Sequence, residues 1–225
     1  MASLSSVEIV ENIGVIKIHA GKVNAFSHEL IEELHLGFDQ LKENPNVKSV
    51  VLTGQEGIFS AGFDLKVMRA GPEQMNALVK AGGELLVKLY LYEKPLIIGA
   101  SGHTMAMGAI TLMVGDVRIG LEGEYKLGLN ETSIGMALPK LAIAFAKDRL
   151  VNTMITRAVI IGEIFDPKGA VKVGYLDLVA PPEAFQDTLM TYAKQLGESV
   201  ELNAFAENKR RIRAATLESV KDIWD

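Results

Sequence analysis

The chain of 225 residues contains no cysteine. Disulfide bonds, thiolate zinc sites, iron–sulfur clusters and cysteine nucleophiles are therefore excluded. Basic residues are also few, since 23 Lys and Arg stand against 28 Asp and Glu and give a net charge of −5. A nucleic-acid-binding protein would present a basic surface, so we predict no nucleic-acid partner. Residues 1–14 lack a basic segment followed by an apolar run, so we predict no secretory signal and expect a cytoplasmic protein.

Familiar cofactor and metal signatures are missing as well. The chain has no G-x-G-x-x-G, no G-x-x-x-x-G-K-[ST] and no G-x-S-x-G, so nicotinamide, P-loop and α/β-hydrolase chemistry lack support. His28, Glu32 and His35 stand at helical spacing, but no third protein ligand with a recognised spacing accompanies them. A solvated helix face is the better interpretation, and we predict no metal site.

One uncharged stretch is long enough to cross a bilayer. Residues 95–115 contain no Asp, Glu, Lys or Arg. The stretch nevertheless includes Ser101, His103 and four glycines, which favour a buried strand, a tight glycine turn and a buried helix. We therefore predict no association with a membrane.

The residues that are present have the balance of a globular protein, with 48% hydrophobic and 23% charged residues. Their periodicity predicts a hairpin over 7–18, strands over 47–53, 96–101, 117–121 and 176–180, and helices over 28–42, 73–91, 106–114, 138–152, 185–199 and 204–220. Strands that recur between helices indicate an α/β chain with crossover connections and strands buried on both faces. We expect residues 1–184 to form a core and residues 185–225 a helical region of the same unit, which caps the core or provides an association surface.

Two glycine-bearing turns follow apolar strands, at residues 59–65 and 101–108. Small residues let a ligand approach the backbone, and a helix that starts after the turn offers free N–H groups and a positive dipole end. Donors that converge from both turns would form an oxyanion hole. On spacing alone, the favoured alternative is that the turns serve only packing.

A third feature is Glu131, which lies among apolar and small residues and precedes the uncharged run 132–139. Such surroundings disfavour the charged form and raise the pKa of a carboxyl toward the range of a working base. The alternative is a surface glutamate that caps a helix or forms a salt bridge.

Taken in order, these features resemble the enoyl-CoA hydratase/isomerase (crotonase) superfamily over roughly residues 7–215. The resemblance begins at residues 22–25, continues through both turns and the strand at residues 116–119, and ends at Glu131. It implies a spiral of β-β-α turns with a C-terminal helical region that drives trimerisation, so that the chain would be a homotrimer or a dimer of trimers. It also implies an acyl-CoA thioester as the partner, with coenzyme A as part of the substrate and no further cofactor.

The resemblance assigns roles residue by residue. It places the oxyanion hole at the backbone N–H groups of Phe63 and Met107, and the catalytic acid–base group at Glu131. The substrate and coenzyme A contacts that it implies are Lys22, Ala25, Ala61, Gly62, Asp64, Leu65, Lys66 and Gly108. For the basic stretch 209–211 with Arg213, it suggests contact with coenzyme A phosphates across a subunit boundary; a solvated helix face or subunit salt bridges are equally favoured.

The sequence departs from the hydratase pattern at one position. Hydratases of this family use two glutamates, and the position of the first is Ile110 here, whereas the second is Glu131. An apolar residue at the first site and a glutamate at the second resemble Δ3-Δ2-enoyl-CoA isomerases of fatty acid metabolism, so we expect an isomerase. The alternatives are a hydratase or thioester hydrolase that recruits Asp64 or His103, and an inactive scaffold that binds CoA thioesters.

Overall fold

Strands and helices alternate over residues 3–220, the part of the chain that the computed structural model describes. The strands are β1 (Ser5–Val10), β2 (Ile13–Ile18), β3 (Ser49–Thr53), β4 (Gly57–Ser60), β5 (Leu96–Ala100), β6 (Gly102–Met105), β7 (Val117–Leu121), β8 (Leu127–Gly128) and β9 (Leu178–Ala180). The α-helices are α1 (His28–Glu43), α2 (Leu65–Met68), α3 (Pro72–Tyr90), α4 (Met107–Val114), α5 (Lys140–Arg149), α6 (Pro167–Val173), α7 (Phe185–Ser199) and α8 (Leu202–Glu218).

Six strands form the main sheet in the order β1-β2-β3-β5-β7-β9. The hairpin of β1 and β2 is antiparallel, and every other pair is parallel. All residues of β3 and β5 are buried, because both faces of the sheet are covered. Leu189 and Ala193 of α7 pack with Val51 and Ile97 on one face, and the larger hydrophobic core lies on the other. This confirms the predicted α/β architecture.

The start and the buried face of helix α1 both follow from its local sequence. The hydroxyl of Ser27 accepts a hydrogen bond from the amide of Leu30 at 3.3 Å, which caps the helix start. The apolar positions of the helix recur at three- and four-residue spacing and face the core. The buried ones are Leu30, Ile31, Leu34, Phe38 and Leu41. The helix predicted over residues 28–42 is confirmed.

A second, three-stranded sheet in the order β4-β6-β8 was not predicted. The prediction of a plain glycine turn at residues 101–108 is wrong in this respect, because β6 occupies half of it. These strands are two to four residues long, and their pairing is between distant segments, as between Gly57 and Gly102. A Cβ atom on Gly102 would lie 2.0 Å from the carbonyl carbon of Gly57, so only glycine permits this approach.

The two sheets together give the spiral that the resemblance implied. Each of β3, β5 and β7 in the main sheet is followed by β4, β6 or β8 in the small sheet and then by helical structure. The same β-β-α turn therefore occurs three times along the chain. The predicted helix over 138–152 is shorter, from Lys140 to Arg149, because the backbone is extended at Pro139 and Leu150. A π-helical turn at Thr156–Ile161 and helix α6 were not predicted.

Helix α8 is fastened to the spiral by buried charges. Lys209 Nζ lies 2.7 Å from Asp116 Oδ2 and donates to the carbonyl oxygen of Tyr92, and Arg213 lies 3.1 Å from Asp116 Oδ1. Burial lowers the pKa of Lys209 to about 8, although the charge of Asp116 opposes this shift. Because both cations are buried within one chain, the predictions that they contact coenzyme A, solvent or another subunit are wrong.

The rest of the basic stretch does face solvent. Arg210 and Arg211 are exposed and pair with Glu207 of the same helix. Exposed pairs of this kind contribute at most about 1 kcal/mol each. The alternation of buried and exposed cations follows from helical spacing, which turns Lys209 and Arg213 to one face and their neighbours away from it.

The uncharged stretch 95–115 is divided among β5, β6 and the eight-residue helix α4. Within residues 3–220, no helix is both long enough and apolar enough to cross a membrane.

Candidate active site

The two predicted turns lie side by side. Because β4 and β6 are parallel neighbours, their carboxyl ends reach the same edge of the small sheet. A Cβ atom on Gly62 would lie 2.9 Å from the Cβ of Ala106 and 3.6 Å from the amide nitrogen of Met107. Gly62 also has a φ of 109°, which a residue with a side chain rarely adopts. Glycine at this position therefore permits the close approach of the two turns.

The amides of Phe63 and Met107 are free donors for different local reasons. Met107 is the first residue of α4, so its N–H has no acceptor within the helix. Around Phe63, the carbonyl of Gly62 and the amide of Asp64 both bond to the backbone of Phe26, at 2.9 and 3.0 Å. In extended backbone successive groups point to opposite sides, so the Phe63 N–H points away from Phe26. Neither amide is a donor in the hydrogen bonds formed within residues 3–220.

Two buried side chains hold the first turn, and the sequence analysis did not identify them. Ser60 Oγ donates to the carbonyl of Asn24 at 2.7 Å and accepts from the amide of Gly62 at 3.1 Å. The side-chain nitrogen of Asn24 in turn donates to the carbonyl of Phe59 at 3.1 Å. Both side chains belong to segments that the sequence analysis had singled out, but only the long-range hydrogen bonds show their role.

A cavity of ≈ 440 Å³ is lined by both residues whose amides are free, Phe63 and Met107. Its walls come from the first turn, from α3, from α4 and from the start of α5, and they are mainly apolar. The lining residues are Phe63, Asn76, Ala77, Val79, Lys80, Gly83, Leu86, Met107, Ile110, Pro139, Lys140, Leu141 and Ala142. Gly82 of α3 leaves room for this arrangement, since a Cβ there would lie 2.6 Å from the ring of Phe63. The cavity can hold an apolar chain next to two backbone donors.

Glu131 is a buried carboxylate close to the second turn. The carbonyl of Gly128, three residues earlier, accepts the amide of Ala106 at 3.0 Å, which brings the end of β8 against the start of α4. The residue is 9% exposed, and its Oε2 atom has no hydrogen-bond partner. Burial raises the pKa of the Glu131 carboxyl, and no cation among residues 3–220 opposes this shift. Glu131 is not one of the residues that line the ≈ 440 Å³ cavity.

Ile110 lies one helical turn after Met107 and lines the cavity with 4% exposure. An aliphatic side chain there can neither orient a water molecule nor exchange a proton. No second acid therefore stands at position 110 to act together with Glu131.

The two polar side chains considered for other chemistry have structural partners. The Asp64 carboxylate accepts the amide of Lys66 at 2.8 Å and caps α2. His103 Nδ1 accepts the amide of Lys126 at 3.0 Å, and the imidazole contacts the edge of the Tyr125 ring. Both groups are therefore engaged in holding the local fold.

Two of the remaining predicted contact residues pack at the first turn. Ala61 donates its amide to the carbonyl of Val23 at 3.0 Å, which joins segment 22–25 to the turn. Gly108 lets α4 approach the turn, since a Cβ there would lie 2.8 Å from the carbonyl oxygen of Ser60. Ala25 is partly buried, and the exposed residues are Lys22, Ala61, Leu65 and Lys66. Their contact with a substrate remains a prediction.

No group of three potential ligands among the described residues is placed to hold a metal ion. On α1, the Nδ1 atom of His35 instead lies 3.4 Å from the ammonium of Lys88, an environment that disfavours a second cation.

This β-β-α spiral, with two free amides at adjacent turns and a buried carboxylate, has the crotonase fold. The chain belongs to the enoyl-CoA hydratase/isomerase family, whose family model matches residues 8–221.

Three relatives illustrate the range of this family. The chain is 31% identical to "Enoyl-CoA delta isomerase 1, mitochondrial" of Rattus norvegicus over 224 residues, which cover 92% of this chain and 76% of the relative. It is 30% identical to a "Probable enoyl-CoA hydratase" of Bacillus subtilis, over 95% of this chain and 80% of the relative. The crystal structure of an enoyl-CoA hydratase/isomerase family protein from Pseudomonas syringae superposes with a TM-score of 0.95 and 35% identity, and covers 98% of this chain and 95% of that one.

Proposed function

We propose that the protein is a Δ3-Δ2-enoyl-CoA isomerase. The observation that carries this proposal is a single buried carboxylate, Glu131, combined with the aliphatic Ile110 on the neighbouring helix. A double-bond shift needs one group that removes and returns a proton, whereas hydration needs a second group to orient water. The similarity to the rat enoyl-CoA delta isomerase supports the same activity.

In the proposed reaction the thioester oxygen accepts hydrogen bonds from the amides of Phe63 and Met107. Glu131 removes a proton from C2, and the electrons of that C–H bond flow toward the thioester to form a dienolate. The charge on the oxygen is stabilised by the two amides; one such donor contributes about 2.7–4 kcal/mol to the transition state. The protonated Glu131 then returns the proton to C4, so that the double bond moves from C3–C4 to C2–C3. No water is consumed.

The environment of Glu131 suits this role. A general base works best when its pKa is close to the working pH, and burial raises the pKa of this carboxyl above that of an ordinary glutamate. A carboxyl with a raised pKa is also a better acceptor for the acidic C2 proton. The Oε2 atom of Glu131 is closed off from the surface and has no hydrogen-bond partner.

The cavity next to Phe63 and Met107 would take the acyl chain, and coenzyme A, as part of the substrate, would be the only cofactor-like group. For the assembly we propose a homotrimer or a dimer of trimers. Its support is an apolar surface where the turn Thr132–Ile134 packs against the π-helical turn Thr156–Ile161. Ile134, Ile160 and Ile161 are 56%, 64% and 59% exposed there, which is unusual for isoleucine unless another surface covers it.

The test is incubation of the purified protein with a 3-enoyl-CoA and, separately, with a 2-enoyl-CoA in H₂¹⁸O. We expect conversion of the 3-enoyl to the 2-enoyl thioester without a change in mass. Addition of one labelled water to the 2-enoyl thioester would instead support a hydratase, the activity named for the Bacillus subtilis relative. Release of free coenzyme A would support a thioester hydrolase.

Glu131→Gln is the matched control, since it keeps size and shape and removes the base. It should abolish turnover and leave binding of a CoA thioester intact. A wild-type protein that binds CoA thioesters but turns none of them over would contradict the proposal and support an inactive scaffold.

A further inference from the structure

Two buried polar atoms near the proposed base have no hydrogen-bond partner. One is Oε2 of Glu131 and the other is the hydroxyl oxygen of Tyr175. Tyr175 is wholly buried, with 0% exposure, whereas a tyrosine hydroxyl inside a protein ordinarily finds a partner. The Tyr175 hydroxyl is an unpaired donor and Glu131 Oε2 an unpaired acceptor, so each could satisfy the other.

The position of Tyr175 is set by the backbone around it. It follows Gly174, which ends α6 with a φ of 96°, and its own amide donates to the carbonyl of Ala170 at 2.9 Å. The ring lies 6.3 Å from the ring of Phe165, centroid to centroid. The backbone of Phe165 exchanges two hydrogen bonds of 2.9 Å with Leu127 of β8, the strand that leads to Glu131. Tyr175 thus packs, through Phe165, against the strand that leads to Glu131.

The electrostatics link the two groups to each other and to no third charge. Burial raises the pKa of the Tyr175 hydroxyl, and the charge of Glu131 raises it further. Burial raises the pKa of Glu131, a backbone hydrogen bond of the same residue lowers it, and no third charged side chain within residues 3–220 shifts either pKa. The hydroxyl therefore remains protonated, as a donor near a carboxyl group whose Oε2 has no partner.

We propose that Tyr175 is a positioning residue, whose hydroxyl donates a hydrogen bond to Oε2 of Glu131 whenever this carboxyl is ionised. This leaves Oε1 to take the proton from the substrate and return it. Neither atom has another partner, so no existing hydrogen bond has to break when this one forms. The inference rests on the proposed role of Glu131 as the base and adds a residue that orients it.

The test measures the pKa of the Glu131 carboxyl by ¹³C NMR in the wild type and in Tyr175→Phe, with the signal assigned from Glu131→Gln. Loss of a donor to the ionised form should raise this pKa in Tyr175→Phe. In the isomerase assay, kcat should fall about tenfold with KM unchanged, because a hydrogen bond to a charged group is lost. The ascending limb of the pH profile of kcat should move to higher pH.

Tyr92→Phe is the matched control. Tyr92 is also a buried tyrosine, but its hydroxyl donates to the carbonyl of Phe38 at 2.8 Å, and Glu131 does not influence its pKa. This variant should lower the melting temperature and leave the pKa of Glu131 unchanged. Tyr175→Phe should instead raise the pKa of Glu131 and leave the melting temperature unchanged at a pH where Glu131 is protonated, since the hydroxyl bonds only to the ionised carboxylate.

An unchanged Glu131 pKa in Tyr175→Phe would overturn the proposal. The pKa measurement needs no turnover, so a wild type without isomerase activity would contradict the proposed function and leave this test intact. If Tyr175→Phe did not fold, the wild type would still decide the question. In that case the ¹³Cζ signal of Tyr175 should shift as Glu131 titrates, and a constant signal would contradict the contact.

Discussion

Replacement of Glu131 by Gln tests the catalytic and the energetic role of this side chain together. The carboxyl is 9% exposed, one of its oxygens has no partner, and burial raises its pKa. A group whose pKa is higher in the folded than in the unfolded protein favours folding below its unfolded pKa. That contribution is lost as the pH rises through the folded pKa. The ionised carboxylate is therefore a cost to stability at neutral pH, and the variant should be the more stable protein there.

The magnitude follows from the unpaired oxygen. A buried polar group without a partner costs on the order of 1–3 kcal/mol, and more when it is charged. The neutral amide of glutamine keeps part of this cost, so we expect a gain of about 1 kcal/mol at pH 8, or about 2–4 °C in Tm for a chain of this length. Turnover should fall by a factor on the order of 10²–10⁴, the usual contribution of a general base.

The assay is urea denaturation at pH 8 and at pH 5, at one protein concentration because assembly would shift the apparent stability. The advantage of Glu131→Gln should be present at pH 8 and should shrink at pH 5, where the wild-type carboxyl gains protons. A variant that is less stable than the wild type at pH 8, or that retains its turnover, would refute the reasoning.

Three further outcomes are expected. Gly62→Ala should lower kcat by about 10²–10³, because the added Cβ pushes the two turns apart and displaces one amide donor. Its control is Gly57→Ala, since Gly57 also has a positive φ but a Cβ there would meet no atom within 4 Å. This variant should leave kcat within about threefold of the wild type. Asp116→Asn should lower the free energy of unfolding by about 3–5 kcal/mol in urea denaturation, since two buried cations lose their counter-charge. Its control is Glu207→Gln at an exposed ion pair, which should lower the free energy of unfolding by less than about 1 kcal/mol. The pH profile of kcat/KM should rise through an apparent pKa above that of an ordinary glutamate, because burial raises the pKa of Glu131; an ascending limb at or below pH 4.5 would contradict this assignment.

Asp116 links the fold to the site. Its carboxylate accepts the amide of Leu96 at 2.8 Å, at the start of β5, and pairs with Lys209 and Arg213 of α8. Strand β5 continues into β6 and the second turn. The C-terminal helix is thus anchored at the opposite end of the strand pair that positions Met107, so the Asp116 variant should reduce stability more than it alters the site.

Much of this protein was determined by local sequence. Apolar spacing at three and four residues predicted α1, α3 and α7, and apolar runs predicted β3 and β5, because the burial of one helix face or of both strand faces shows in consecutive residues. The absence of cysteine limited the chemistry, and the apolar neighbours of Glu131 indicated a carboxyl removed from water. Through the family resemblance, Ile110 indicated one catalytic carboxylate rather than two.

Tertiary structure decided what depends on residues far apart in the chain. The small sheet pairs segments more than twenty residues apart through glycines that carry no periodic signal, so it could not be predicted from the sequence. The basic residues of α8 looked alike in the sequence, and only the packing against Asp116 separates the buried Lys209 from the exposed Arg210. The unpaired hydroxyl of Tyr175 likewise could not be related to Glu131 from the sequence, because hydrogen-bond partners are set by the three-dimensional fold and these two residues are far apart in the chain.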